Sequence, residues 1–102
     1  MENWFKYLIG IDKTDKILAI AVRKNNDGYN EDEKGELFKS IEEAKKILDY
    51  DFDAGFGGEN GPYFTAWTKD KVYFPVQYDG SEWITSVPRK ICNIATSHKG
   101  GG

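Results

Sequence analysis

Hydrophobic positions in the first third of the chain recur every second residue. In FKYLIGID (residues 5–12), Phe5, Tyr7, Ile9 and Ile11 fall on one side, the period of a half-buried strand. The polar turn Asp12-Lys13-Thr14-Asp15 follows. The run KILAIAVRK (residues 16–24) then sets Leu18, Ile20 and Val22 on one face, with the small Ala19 and Ala21 on the other. The two runs read as an N-terminal hairpin. Asn25-Asn26-Asp27-Gly28 is a turn signal, because these residues tolerate positive φ. The charged stretch YNEDEKGE leads to Leu37 and Phe38, which either add a short strand or pin the chain to the core.

The period then changes. SIEEAKKILDY (residues 40–50) carries one apolar stripe, Ile41, Ala44, Ile47 and Leu48, at helical spacing. Ser40 with Glu43 three residues on forms a capping box, and Glu42 and Glu43 sit at the positive end of the helix dipole. Three strand-like runs come after a glycine-rich stretch: PYFTAWT, VYFPVQY and WITSV. The turns between them are short, at Lys69-Asp70 and Asp79-Gly80-Ser81, which predicts an antiparallel meander. Pro75 cannot donate to a ladder, so its strand is an edge or carries a bulge there. The predicted fold is a single α+β sheet of order ββαβββ with the helix on one face, filling residues 1–90. A frayed, glycine-ending tail fills residues 91–102.

Alternation assigns Val72, Phe74, Val76 and Tyr78 to the core face of their strand and Tyr73 and Gln77 to the outer face. Tyr63, Trp67 and Trp83 join Tyr73 and Gln77 as candidates for an aromatic contact surface, since Trp and Tyr dominate binding hot spots.

Composition narrows the partners. The 102 residues carry a net charge of −3, spread unevenly. Residues 27–59 hold eleven acids and four bases, so that third carries −7 and the remainder +4. An acidic region repels nucleic acid and favours basic protein surfaces. Aromatics on a sheet can stack bases, but such surfaces need a basic surround, and Arg23, Lys24, Arg89 and Lys90 make a thin one. The single cysteine, Cys92, excludes an intrachain disulfide. No apolar run approaches the ~20 residues of a membrane-spanning helix. The N-terminus lacks the basic region and cleavage site of a signal peptide, so a cytoplasmic protein without a membrane partner is expected.

Catalytic motifs are missing. The only histidine, His98, and Cys92 both lie in the tail, a poor place for a nucleophile–base pair. The acidic stretch DYDFDAGFGGEN (residues 49–60) is the one metal candidate. Asp49, Asp51 and Asp53 occupy positions 1, 3 and 5 of an EF-hand loop. Ala54 stands where the loop needs glycine, and Asn60 where it needs a bidentate glutamate, with Glu59 one place early. The competing reading is an acidic hinge, with Tyr50 and Phe52 inward and the aspartates in water.

Hairpin, helix, then strands ending in Gly101-Gly102 resembles the ubiquitin-like β-grasp plan, and that resemblance implies a carrier activated at its terminal diglycine. The leading expectation is different. It is a small acidic, non-enzymatic module without cofactor that binds another protein with a basic surface. The contact residues are then Asp49, Asp51, Asp53, Glu59, Tyr63, Trp67, Tyr73, Gln77 and Trp83. Such a module suits a regulator or inhibitor, of the kind bacteriophages use against host defence, blocking a nucleic-acid-handling protein by imitating phosphates. The alternative is a small-ligand or calcium-binding domain using the loop from Asp49 to Asn60.

Overall fold

The computed structural model describes residues 1–24, 34–55 and 60–99. The element order is α1 (Trp4–Asp12), β1 (Ala19–Arg23), β2 (Glu36–Phe38), α2 (Lys45–Leu48), β3 (Tyr63–Trp67), β4 (Lys71–Tyr78) and β5 (Ser81–Pro88). The strands form one antiparallel sheet in the order β2-β1-β3-β4-β5. The α+β class and the C-terminal meander stand. The ββαβββ order does not, because the chain opens on a helix and β2 supplies the fifth strand.

The correction at residues 5–12 has a local cause. WFKYLIGID holds six apolar residues in nine, enough to satisfy either period. Asn3 decides between them. Its backbone is extended, and its side-chain oxygen accepts from the Lys6 N–H at 3.2 Å, capping the helix start. Trp4, Phe5 and Leu8 then share one buried face. At the other end the Asp12 carboxylate accepts from the Ile17 N–H at 2.8 Å and turns the chain toward the sheet. Ile17 is buried there, whereas Leu18, expected to line up with Ile20 and Val22, lies before the strand and is exposed.

The Ser40 and Glu43 side chains make their expected bonds, but these open a turn ahead of α2, whose own N-cap is Ala44 with no side-chain bond. Ser40 Oγ accepts from the Glu43 N–H at 3.3 Å, and the Glu43 carboxylate reaches back to the Lys39 N–H at 3.0 Å. The segment begins tightly, with i→i−3 bonds from Ala44 and Lys45, before the single turn of α2. The whole stripe Ile41, Ala44, Ile47 and Leu48 is buried.

Both helices cover the same side of the sheet. Under them lie the rows Phe38–Ile20–Ala66–Tyr73–Ser86 and Glu36–Val22–Phe64, with Ile84 opposite Pro75. Trp4 is fully buried and meets Phe52 edge-on at 4.8 Å between centroids and Phe64 at 6.4 Å. Full burial of side chains of this size contributes about 1.5–3 kcal/mol each.

Register reverses the faces expected for β4. The Lys69-Asp70 turn closes with the Thr68 N–H on the Lys71 carbonyl at 2.9 Å, which sets Ala66 opposite Tyr73 and Trp67 opposite Val72. Ala66 is buried under the helices, so Tyr73, Pro75 and Gln77 take the inner side. Val72, Phe74, Val76 and Tyr78 take the outer side.

Pro75 also ends the β3–β4 ladder. Hydrogen-bonded pairs alternate along an antiparallel ladder, and after Ala66–Tyr73 the next falls at Phe64–Pro75, where proline has no N–H. The register stops at Tyr73, and the strands part around a crevice of about 70 Å³ lined by Pro62, Tyr63, Pro75, Val76, Gln77 and Glu82. β4 and β5 stay paired over all eight residues, closed by a two-residue turn with Asp79 at φ 50° and Gly80 at φ 84°. Residues 91–99 form neither helix nor strand and are exposed. Gly101 and Gly102, which carry part of the β-grasp resemblance, lie outside the described residues, and a helix stands where its first strand belongs.

Candidate functional site

The acidic stretch is built as a clamp on the N-terminus. Glu2 and Phe52 exchange backbone hydrogen bonds of 2.9 Å each way, which brings Asn3 beneath the aspartates. Asn3 Nδ2 donates to Asp49 Oδ1 at 2.9 Å and to Asp51 Oδ1 at 3.0 Å. One neutral amide thus sits between the two carboxylates, in the place where a cation would have to stand. Asp53 is separate, and its carboxylate accepts from the Gly55 N–H at 3.2 Å. Among the described residues no three metal-ligating side chains converge.

The anchoring of this stretch is half as expected. Phe52 is buried against Trp4, while Tyr50 is partly exposed and donates its hydroxyl to the Asn60 carbonyl at 3.2 Å. Burial, then the nearby Glu82 carboxylate, pushes the Tyr50 hydroxyl above its ordinary range. Glu82 holds the end of the loop, accepting from the Asn60 N–H at 2.8 Å and the Gly61 N–H at 3.1 Å. Gly61 must be glycine, because a Cβ there would stand 2.6 Å from both the Phe52 ring and Trp4 Nε1. Glu59 lies outside the described residues.

The aromatic candidates divide between the two sides of the sheet. Tyr73 is on the helix side, packed against the core, and its hydroxyl donates to Asp15 Oδ2 at 2.9 Å. Burial, then that bond and the Asp15 charge, push the Tyr73 hydroxyl up from 10.0 to about 12. Gln77 shares that side. Tyr63, Trp67 and Trp83 are on the outer side, away from both the helices and the aspartates. The aromatic surface and the acidic loop are therefore separate regions.

The outer side brings in residues that alternation had placed in the core. Its rows are Ala19–Trp67–Val72–Val87, then Leu37–Ala21–Thr65 with Phe74–Thr85, then Arg23–Tyr63 with Val76–Trp83. None of these belongs to the buried core or packs against it. Leu37 is 70% exposed, Tyr78 53% and Trp83 38%. No carboxylate lies in these rows. Their one charged group, Arg23, lies over the Tyr63 ring at 4.3 Å. The signal that could have found this face is the Lys69-Asp70 turn, which sets the phase of β4 once it is read as a two-residue loop.

Cys92 and His98 are both exposed in the segment after β5. No helix of the described residues is long and apolar enough to cross a membrane. Comparison with protein-family models, with curated proteins and with solved structures finds no match.

Proposed function

We propose that the chain is a non-enzymatic protein-binding module that acts as a regulator or inhibitor, and that its contact surface is the outer face of the sheet. The observation that carries this reading is the half-buried apolar row Val72, Phe74 and Val76, with no described helix across it, flanked by Trp67 and Trp83 and free of carboxylates. Contiguous apolar surface of this kind marks protein contact sites, and Trp and Tyr supply most of the energy where they are used. The clamped aspartates, with Glu2 beside them, form a second, acidic region suited to a basic surface. An exposed free cysteine suits a reducing, cytoplasmic setting.

The test is photocrosslinking in the source cells, with a photoreactive residue at position 83 and, as a control, at position 43. Protein adducts at position 83 and none at position 43 support the reading. An outer face that yields no protein adduct sinks it.

A further inference from the structure

The outer face is patterned as though it were meant for burial. In β4 the row Val72, Phe74, Val76 and Tyr78 is more apolar than Lys71, Tyr73, Pro75 and Gln77, yet it is the second row that faces the helix side, where Tyr73 packs against the core. Alternation is a burial signal, yet no described helix lies across these half-buried rows, and only the segment after β5 approaches them, beside Val87 at one end. We infer that the covering layer is a second copy of the same chain, with two sheets stacked face to face about a two-fold axis and the helices outward. This rests on the reading of the outer face as a protein contact surface and names its occupant, which leaves the acidic region around Asp49 and Asp51 as the surface open to a regulated partner.

Charge favours a copy over an unlike partner. In a two-fold contact each surface meets itself, so like charges face one another. The acid-rich helix side would repel its own copy, whereas the outer rows carry only Arg23, at one end and already over Tyr63. A basic partner finds no carboxylate in these rows, and an acidic partner finds one guanidinium.

Area points the same way. Five strands at ~4.8 Å spacing and ~10–26 Å long give a plane of roughly 500 Å². Side-chain relief raises this toward the ~800 Å² per partner that stable interfaces bury.

Association along the β5 edge is closed off, and the other edge, β2, is only three residues long. The outer edge of β5 turns Glu82, Ile84, Ser86 and Pro88 outward. The Glu82 N–H is already given to the Ala54 carbonyl at 2.7 Å, and Pro88 has none. That leaves two outward N–H groups, too few to template another strand.

The experiment is sedimentation of the full chain across nanomolar to high-micromolar concentration, beside V76R, W83A and, as a control on the helix side, E42R. The expected result is a species of twice the 11.6 kDa chain mass. V76R should weaken association by about tenfold or more, and E42R should leave it unchanged. A wild type that stays monomeric throughout overturns the inference, whatever the variants do. Binding of an anilinonaphthalene sulfonate dye to that monomer then separates the two readings. Dye bound by wild type and lost in a folded V76R leaves the face a contact surface for another protein. Dye that ignores the substitution removes both readings. A dimer that persists unchanged in a folded V76R places the interface elsewhere and also overturns the inference.

Discussion

The two faces of this sheet are made from the same strands and similar residues, yet among the described residues only one lies beneath helices. The inner face buries Ile20, Val22, Phe64, Ala66 and Ile84 beneath α1 and α2. The outer face sets Trp67, Val72, Phe74, Val76 and Trp83 one residue out of phase, with no described helix across them. Hydrophobicity alone does not separate the two. What separates them is where the helices land, and that is decided by β1 and β3, whose inner rows are wholly apolar and whose outer rows mix Ala19, Ala21 and Trp67 with Arg23, Tyr63 and Thr65. β4 inherits its phase through a two-residue turn.

The largest test of this contrast is a pair of matched truncations. F64A on the inner face should cost ~3–5 kcal/mol of unfolding free energy, the usual penalty for emptying a packed aromatic site. F74A on the outer face, measured in dilute protein, should cost less than about 1 kcal/mol by the same denaturant titration. Equal losses would mean that both faces are packed within one chain.

Next comes G61A. Its Cβ would press on Phe52 and Trp4, and overpacking of this kind costs ~1–3 kcal/mol. The loss should be independent of protein concentration, because Gly61 is on the side away from the outer rows.

N3A removes a helix cap and the amide shared by Asp49 and Asp51. A loss of about 1–2 kcal/mol is expected, part from the cap and part from two carboxylates left facing each other. Added salt should recover part of the loss, since exposed carboxylates are screened.

The smallest effect is at Tyr73. Its folded hydroxyl titrates near 12 rather than 10.0, so the folded state holds this proton more tightly than the unfolded chain. The contribution is complete below pH 10.0 and is lost as pH rises toward 12. Melting temperature should fall across that interval more steeply in wild type than in Y73F. At neutral pH the substitution should cost ~0.5–1.5 kcal/mol for the bond to Asp15.

Legibility in the sequence follows the same physics. The capping box at Ser40, the stripe from Ile41 to Leu48 and the three C-terminal strands are readable because propensity, pattern and turn chemistry agree there. Residues 4–12 are not, because a segment with six apolar residues in nine fits either period, and the deciding cap, Asn3, stands outside the alternating run. Of the candidate contact residues, Tyr63, Trp67 and Trp83 share the outer face, and Tyr73 and Gln77 do not. A one-residue change of phase moves a whole strand face, so the error at β4 carried Val72, Phe74 and Val76 with it. The aspartates were visible as a group, but their shared partner lies 46 residues away from Asp49 in the chain, beyond the reach of any local pattern.

The interruption at Pro75 has a consequence for the order in which the chain folds. The β4–β5 hairpin pairs over eight residues through a two-residue loop, while its register with β3 spans two positions. Short loops close at little entropic cost, and hairpins form in about 1–10 μs. The segment from Lys71 to Pro88 can therefore assemble as a cooperative unit before the long-range pairing of β1 with β3, which must bring together residues forty or more apart. On hydrogen exchange the same unit can open separately, so that amides around Val76 and Trp83 exchange through a local event while those of Ile20 and Phe64 wait for the whole chain to unfold.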